Sequence, residues 1–315
     1  MQHRRLGRSG LSCAPLALGG NVFSWTADEA ASRDILDAFV DRGFSLIDTA
    51  DTYSTWAPGH SGGESETIIG RWLKATGKRD RVLIATKVGG AMPDVGKGLS
   101  RAHIIRSAEE SLRRLGTDRI DLYQAHFDDV ATPFEETLEA FARLVESGKA
   151  RAVGASNYSA PRLAEALAAA RAHGLPLFCA LQPHYNLVTR AYYEGDLARL
   201  CREEDLGVLP FRGLEAGFLT GKYRSIADTQ GAARGAVVAR ILDERSLDIL
   251  CELDGAARRL GATPAQIAIA WLLAREEVTA PIVSVTSLSQ LEEIAGAVTV
   301  ALDPRTLMRL DLVSA

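Results

Sequence analysis

Short apolar runs alternate with longer amphipathic segments along almost the whole chain. Eight such runs are continuous and apolar, which is typical of strands that are covered on both faces. They lie at 16–20, 44–48, 82–87, 120–126, 150–156, 178–182, 207–211 and 281–285. Because parallel strands need long crossover connections, usually helices, this alternation predicts an α/β fold.

The segments between the apolar runs have the repeat of an amphipathic helix. Segment 28–42, for example, carries Ile35, Leu36 and Phe39 among its apolar positions, and Gly116 directly follows another helical segment. The predicted helices are 28–42, 64–75, 100–115, 133–146, a helix that begins at 159, 196–204, 241–260, 263–275 and 303–312.

Eight strands with intervening helices predict a (β/α)8 TIM barrel, with residues 1–315 as a single domain. Residues 4–13 break the alternation. Two short extended pieces flank Gly7 and Gly10 there, which predicts an N-terminal β-hairpin that closes the barrel floor. Segment 212–239 after strand seven is predicted to be a long irregular loop, and such loops in compact domains are usually functional.

Composition narrows the class of protein. The 315 residues are 47% hydrophobic with a formal net charge of -4, which favours neither nucleic acid nor an anionic membrane as partner. The four cysteines are scattered, as is typical of reduced thiols. We find no signal peptide and no apolar run of the ~18 residues that a membrane span needs. We therefore expect a soluble cytoplasmic enzyme, and the oligomeric state stays open.

Polar side chains stand at or just past the ends of three predicted strands. Asp48 ends the second strand and Tyr53 follows it, Lys87 ends the third strand, and His126 ends the fourth. In a parallel barrel these ends share one mouth, where catalysis takes place. Each residue alone would more often be a packing or surface residue. A carboxylate, a phenol, an ammonium and an imidazole together predict a proton-transfer site.

The chain resembles the aldo-keto reductases over essentially its whole length. Seven segments carry this resemblance in the expected order. They are Asp48-Thr-Ala-Asp-Thr-Tyr53, Gly63-Glu-Ser-Glu66, Ala85-Thr-Lys87, Asp121-Leu-Tyr-Gln-Ala-His126, Gly154-Ala-Ser-Asn157, Gln182-Pro-His-Tyr-Asn186 and Gly217-Phe-Leu-Thr-Gly-Lys-Tyr223. The resemblance implies reduction of an aldehyde or ketone, or the reverse reaction, with Asp48, Tyr53, Lys87 and His126 as the catalytic tetrad.

Carbonyl reduction adds a hydride to carbon and a proton to oxygen, and Tyr53 is the expected proton donor. An unperturbed phenol has a pKa near ~10, which is poorly matched to neutral pH. We expect the ammonium of Lys87 to lower this pKa, Asp48 to orient Lys87 and keep it charged, and His126 to hydrogen-bond the substrate oxygen.

The sequence contains neither a Gly-x-Gly-x-x-Gly motif nor a phosphate-binding P-loop, so a Rossmann domain is not predicted. The resemblance implies instead that NADP(H), with NAD(H) less favoured, lies extended across the barrel mouth. The implied cofactor-binding residues follow strands five to eight. They are Ser156, Asn157, Gln182, Phe211, Leu214, Gly217, Leu219, Lys222, Arg234, Thr286, Gln290 and Glu293.

These residues have different implied roles. The side chains of Ser156, Asn157 and Gln182 would hold the nicotinamide carboxamide. Phe211 would stack on the nicotinamide ring, at a position that is often tyrosine in relatives. Segment 214–222 would wrap the pyrophosphate through backbone N–H groups and the charge of its last residue, a lysine.

Two features concern the adenosine end. Arg234 is either a basic residue near the adenosine or an ordinary surface arginine. Thr286 and Gln290 would contact the 2′-phosphate of NADP, and Glu293 the adenine amine. The segment departs from the family pattern because Ile294 replaces an asparagine and no arginine is present. We therefore expect a preference for NADP over NAD that is weaker than in typical relatives.

The loops at the barrel mouth supply the candidates for the substrate pocket, which are Asn21, Phe23, Trp25, Trp56 and Phe127. An aromatic lining suits a carbonyl compound with a hydrophobic portion, although the two tryptophans are also suited to loop packing. Because such loops vary most on this scaffold, sugars, ketones and aromatic aldehydes all stay open as substrates.

Two other functions compete with a reductase. The β-subunits of potassium channels resemble aldo-keto reductases, bind the dinucleotide and serve chiefly as partners; the intact tetrad argues against a purely regulatory role and leaves it as the alternative. A metal-dependent barrel hydrolase would need clustered ligands such as His-x-His at the end of the first strand. Segment 16–20 has none, so no metal site is predicted.

Overall fold

The computed structural model describes residues 2–315. Ten strands form its two sheets. They are β1 (Arg4–Arg5), β2 (Ser12–Cys13), β3 (Ala17–Gly19), β4 (Leu46–Asp48), β5 (Leu83–Val88), β6 (Ile120–Ala125), β7 (Ala150–Ser156), β8 (Ala180–Gln182), β9 (Gly207–Val208) and β10 (Ile282–Val283). The α-helices are α1 (Glu29–Asp41), α2 (Glu64–Thr76), α3 (Arg101–Leu115), α4 (Phe134–Glu146), α5 (Ala160–His173), α6 (Asp196–Glu203), α7 (Gly235–Ala239), α8 (Glu244–Leu260), α9 (Pro264–Leu273), α10 (Leu288–Gly296) and α11 (Pro304–Val313).

The strands β3 to β10 form one parallel sheet that curls into a barrel. β3 to β9 pair in chain order, and β10 returns to pair with β3. On the side of β10 that faces β9, the backbone N–H groups of Thr279 and Ile282 donate to the carbonyls of Val208 and Pro210, each at 2.8 Å. These bonds join the chain around β10 to β9. The predicted (β/α)8 barrel is therefore confirmed.

The N-terminal hairpin closes the floor of the barrel, as predicted. β1 and β2 are antiparallel, and the turn between them contains Gly7 at φ +51. A Cβ on Gly7 would lie 2.2 Å from the carbonyl oxygen of Cys179 and 2.5 Å from the backbone nitrogen of Gly207. These atoms lie at the beginnings of β8 and β9. Only glycine therefore lets the hairpin approach this end of the barrel so closely.

The barrel interior is a packed core. Small and branched side chains fill it from the floor upward, and a larger apolar layer packs between the strands and the surrounding helices. The interior side chains include Leu6, Leu11, Ala17, Leu46, Ala85, Leu122, Ala152, Ala180, Leu209 and Ile282. Because the floor is filled, the space for a ligand lies at the C-terminal ends of the strands.

The structure corrects the prediction in two segments. Segment 212–239, predicted as irregular, contains the short helix α7 and two 3-10 turns, Glu215–Thr220 and Ile226–Thr229. The helix predicted at 241–260 begins only at Glu244, because Asp243 caps it by accepting from Ser246 N at 2.7 Å.

The helix α10 was not predicted. Its segment is rich in serine and glutamate, so only Leu291 and Ile294 are buried and the apolar repeat is too sparse to recognise. Ser287 caps its first turn by accepting from the backbone N–H of Gln290 at 3.3 Å. None of the helices within residues 2–315 combines the length and apolar character needed to cross a bilayer.

Candidate active site

A cavity of about 870 Å³ opens at the barrel mouth. Most of the predicted site residues lie on its wall. They are Asn21, Asp48, Tyr53, Trp56, His126, Phe127, Ser156, Asn157, Gln182, Phe211, Leu214, Gly217, Lys222, Arg234, Thr286, Gln290 and Glu293. Of the remaining four predicted residues, Lys87 lies beneath the wall, and Phe23, Trp25 and Leu219 lie away from it.

Lys87 is fully buried, and its ammonium meets three acceptors. Nζ lies 2.7 Å from Oδ2 of Asp48, 2.7 Å from the backbone oxygen of Thr49 and 2.8 Å from the phenol oxygen of Tyr53. An ammonium has three N–H donors, so each of them has a partner. The barrel thus brings three of the four predicted catalytic side chains into direct contact.

The electrostatics of Tyr53 differ from the expectation. Burial raises the pKa of the phenol well above its ordinary value, and the Asp48 carboxylate, which accepts from the hydroxyl at 3.2 Å, raises it further. Burial also lowers the pKa of Lys87, against the opposing effect of Asp48. Burial and Asp48 therefore outweigh the lowering of the phenol pKa that we expect from Lys87. The resting site instead holds a protonated phenol beside a cation that stabilises the phenolate once the proton leaves.

His126 lies next to Tyr53, with their rings edge to face and their centroids 6.1 Å apart. Its Nδ1 lies 3.5 Å from Oγ1 of Thr52, so Nε2 is the nitrogen available to a ligand. Burial, and then the charge of Lys87, lowers the pKa of His126 well below its ordinary value. The imidazole is therefore neutral at neutral pH and serves as a hydrogen-bond donor without carrying charge.

The side-chain amides of Gln182 and Asn157 are held in place by hydrogen bonds that their NH₂ groups donate. Gln182 Nε2 donates to Oδ1 of Asp48 at 2.9 Å, and Asn157 Nδ2 donates to the backbone oxygen of His126 at 3.0 Å. Ser156 Oγ donates to the backbone oxygen of Gln182 at 2.9 Å. Within residues 2–315 no donor meets the two amide oxygens of Asn157 and Gln182, so these oxygens can accept from a carboxamide in the cavity.

Phe211 is held against His184. The backbone N–H of Phe211 donates to the carbonyl of Pro183 at 3.0 Å, and the two rings stack with centroids 5.2 Å apart. His184 lines the cavity but was not predicted. The sequence could have indicated this position, because His184 follows the predicted site residue Gln182 by two residues. Extended chain places alternate side chains on one face, so both side chains face the cavity.

The turn after Phe211 is strained and was also missed. Arg212, Glu215 and Ala216 have φ values of 56, 41 and 56, and such a conformation costs non-glycine residues roughly 1–3 kcal/mol each. The carbonyl of Leu214 accepts from the N–H groups of Gly217 and Leu219, at 2.9 and 3.1 Å. Within residues 2–315, the N–H groups of Gly213 and Leu214 have no acceptor, and both residues line the cavity.

Basic side chains lie in this turn and beyond it. Arg212, Lys222 and Arg234 all line the cavity. The guanidinium of Arg234 lies 5.5 Å from the ring centroid of Trp25, and its Nη2 is buried with no acceptor among the described residues. Burial, and then Arg212, lowers the pKa of Arg234. The side chain points inward, so the alternative of an ordinary surface arginine is wrong.

Three predicted contact residues are corrected. Phe23 and Leu219 are fully buried in the core, so neither side chain reaches the cavity, and the N–H of Leu219 is already bonded. Trp25 packs edge to face on Trp56 at 5.7 Å, behind the cavity wall. Trp56 itself is 48% exposed and lies 6.0 Å from the Tyr53 ring, on the wall of the cavity. Some aromatic side chains of the mouth loops are therefore buried in the core, as Phe23 is, and others line the cavity, as Trp56 does.

At the end of the cavity where the resemblance implies the adenosine, Thr286 and Gln290 bond to each other. The backbone N–H of Thr286 donates to Oε1 of Gln290 at 2.9 Å, and its hydroxyl lies 3.2 Å from the same oxygen. Both residues line the cavity at the N-terminus of α10, and Glu293, farther along this helix, lines it as well. This helix end favours a negative charge, which sequence reasoning missed because it missed α10.

Asp51 is a further residue that sequence reasoning missed. It is 1% exposed, and within residues 2–315 neither carboxylate oxygen has a partner. Burial, and then the charge of Glu66, raises the pKa of Asp51 to about 8. Its backbone N–H donates to the carbonyl of Lys87 at 3.3 Å. A destabilising buried carboxyl group therefore stands directly behind the tetrad.

Comparisons with known proteins agree with this geometry. A model of the aldo/keto reductase family matches residues 15–315. The chain is 35% identical to the uncharacterized oxidoreductase YrpG of Bacillus subtilis, covering 99% of this chain and 95% of that protein. It is 34% identical to a probable voltage-gated potassium channel subunit beta of Arabidopsis thaliana, covering 95% and 92%. It is also 34% identical to L-glyceraldehyde 3-phosphate reductase of Escherichia coli K12, covering 93% and 86%.

Proposed function

The chain belongs to the aldo/keto reductase family, and from this premise we propose that it reduces an aldehyde or ketone to an alcohol, or catalyses the reverse reaction. The observation that carries the proposal is the contact of Lys87 with both Asp48 and Tyr53, beside His126 and open to the cavity. These groups form a proton donor at the cavity wall with its own stabilising cation, which a carbonyl reductase needs.

The cavity wall fits a nicotinamide dinucleotide. The amide oxygens of Asn157 and Gln182 suit the carboxamide, and Phe211 offers a flat apolar face to the ring. The N–H of Leu214 and the buried Nη2 of Arg234 have no acceptor among the described residues, and both suit phosphate oxygens. When bound, the cofactor supplies the hydride.

The protein's own groups handle the proton. Nε2 of His126 orients the carbonyl oxygen by donating a hydrogen bond to it, since the imidazole is neutral. Tyr53 turns its hydroxyl from Asp48 to that oxygen and transfers the proton. The resulting phenolate is stabilised by Lys87 at 2.8 Å, and Asp48 holds the ammonium in place at 2.7 Å. Each residue of the tetrad thus has one task.

We further propose that NADP(H) is preferred to NAD(H). Thr286 and Gln290 lie where the N-terminus of α10 meets the cavity, a position that suits a 2′-phosphate. The rim residues Trp56 and Phe127 are 48% and 46% exposed, which suits a substrate with an apolar portion. We place the activity in the cytoplasm, because all four cysteines are free thiols.

A second candidate is a cofactor-binding partner protein, as the name of the Arabidopsis relative suggests. The test mixes the protein with NADPH and a panel of sugar, ketone and aromatic aldehyde substrates and follows the loss of cofactor absorbance. Turnover that Tyr53→Phe abolishes supports the reductase. Saturable NADPH binding with no turnover on any compound favours the partner protein.

A further inference from the structure

We infer that Glu215 is a positioning residue: it locks the strained turn 212–217 and, through His184, the ring of Phe211, so that this wall of the cofactor site is formed before the dinucleotide binds. The inference rests on the proposed use of a dinucleotide.

The carboxylate of Glu215 is buried and has several partners. Its Oε2 lies 2.6 Å from Nδ2 of Asn186, 2.6 Å from Nε2 of His184 and 3.3 Å from Oγ1 of Thr189. Its Oε1 lies 3.5 Å from Nη1 of Arg212. Burial opposes ionisation, but His184, Asn186 and Arg212 outweigh it and lower the pKa of Glu215. The group is therefore an anion that is held from three sides.

This anion holds a backbone that would otherwise relax. The turn has three non-glycine residues with left-handed φ, at Arg212, Glu215 and Ala216. Such conformations persist only where the surroundings over-determine them. Asn186 supplies the second restraint, because its Nδ2 donates both to Glu215 and, at 3.0 Å, to the carbonyl of Arg212. The turn is thus bound to the chain that follows β8 at two points.

The locked turn presents backbone N–H donors to the cavity. Gly213 and Leu214 line the cavity, and among the residues described their N–H groups have no acceptor. Arg212 lines it as well, with its guanidinium tethered by Glu215. A cradle of two N–H groups and one cation is the donor set that a diphosphate requires.

The same carboxylate fixes the aromatic platform. Since ionised Glu215 carries no proton, the contact at 2.6 Å requires that Nε2 of His184 carries one and donates it. This bond sets the plane of the imidazole, on which Phe211 stacks with an interplanar angle of 27°. Glu215 therefore acts on the ring of Phe211 without touching it.

Preorganisation of this kind has a measurable consequence. The apparent dissociation constant equals the intrinsic one divided by the fraction of molecules in the binding-competent conformation. If the turn is competent in only about a tenth of molecules once the lock is removed, cofactor affinity falls about tenfold. The chemical step in the loaded enzyme depends on other residues and stays near its wild-type rate.

The test compares wild type, Glu215→Ala, Glu215→Gln and a control, Asp121→Asn. Asp121 is equally buried and paired with Arg79 and Arg151, but it lies at the opposite end of the barrel in β6. We expect Glu215→Ala to raise the Kd for NADPH at least about tenfold with kcat at saturating NADPH within about threefold of wild type. Glu215→Gln, which keeps an acceptor oxygen, should recover part of the affinity, and Asp121→Asn should bind normally.

Hydrogen exchange of the protein without cofactor supplies a readout that does not depend on the proposed function. Amides 212–219 should exchange faster in Glu215→Ala than in wild type and Asp121→Asn. Unchanged exchange overturns the lock, and so does a folded Glu215→Ala protein whose Kd is within about twofold of wild type. Faster exchange in a protein whose wild type binds neither NADPH nor NADH supports the lock and refutes the proposed function.

Discussion

Tyr53 and Lys87 are joined by a hydrogen bond of 2.8 Å from the buried ammonium to the phenol oxygen. The phenol keeps its own hydrogen for Asp48, 3.2 Å away. The proton to be transferred and the cation that stabilises its departure are therefore in contact before any substrate binds. This relationship separates the role of Tyr53 in proton transfer from that of Lys87 in charge stabilisation, and each can be tested alone.

Replacing Tyr53 with phenylalanine should reduce carbonyl reduction by about 10²–10⁴-fold, because the proton donor is lost. The Kd for NADPH should be almost unchanged. Tyr123→Phe is the control for loss of a phenol hydroxyl: Tyr123 is fully buried, and its hydroxyl has no partner among the described residues. Steady-state turnover and cofactor titration measure both effects. A loss of less than about tenfold on the best substrate would show that Tyr53 is not the acid.

Replacing Lys87 with methionine should lower turnover about 100-fold and shift its pH dependence. Reduction needs protonated Tyr53. Since the ammonium favours the phenolate, its removal raises the pKa of Tyr53 further, and the alkaline limb of the pH–rate profile should move to higher pH. The control is Lys78→Met, because Lys78 forms a surface ion pair with Asp37 at 2.6 Å. An unchanged profile at near wild-type rate contradicts this role for Lys87.

Replacing Asp51 with asparagine should stabilise the protein at alkaline pH. The folded pKa of about 8 lies above the ordinary 3.8, so between these values the folded state binds more protons than the unfolded state. The contribution of Asp51 to stability is therefore lost as pH rises through this range.

We expect the free energy of unfolding of Asp51→Asn to match wild type near pH 4 and to exceed it near pH 9 by on the order of 2–5 kcal/mol. Urea unfolding at several pH values measures the difference in unfolding free energy between the two proteins. The contributions of titratable groups that both proteins share cancel in this difference. A difference that is constant with pH would mean that Asp51 ionises normally in the folded protein.

NADPH should bind more tightly than NADH, because hydrogen bonds to a charged group are worth ~1.5–3 kcal/mol each. Thr286 and Gln290 offer such bonds without charge, so Thr286→Arg should widen the preference by a charge-assisted contact. Thr299→Arg changes the net charge equally on an exposed position away from the cavity and should leave the preference unaltered. Quenching of protein fluorescence provides both dissociation constants. Equal or tighter NADH binding by the wild type refutes the preference.

The barrel was predictable because its signals are local. A strand buried on both faces must be a continuous apolar run, and the polar residue that ends it must lie at the mouth once the topology is parallel. Asp48, Lys87 and His126 each follow this rule. Their convergence with Tyr53 was therefore predictable before any distance was known.

Other features had no readable local signal. The helix α10 has two buried apolar residues, too few for the helical repeat, and depends on packing against α9 and α1. Phe23 and Trp56 both looked like pocket aromatics, yet the first is in the core and the second on the cavity wall. Which side a loop side chain faces is decided by the neighbours that tertiary packing supplies.

The sequence by itself determined which chemical groups meet at the mouth, and the tertiary structure decided how they behave. A pKa depends on the water removed from around a group and on charges brought near it from distant parts of the chain. Burial therefore raised the pKa of Tyr53, against the lowering expected from Lys87, and it enclosed Asp51, whose carboxylate has no hydrogen-bond partner among the described residues. In the same way Glu215 acquired its role only when the fold placed it against His184, which is 31 positions away along the chain.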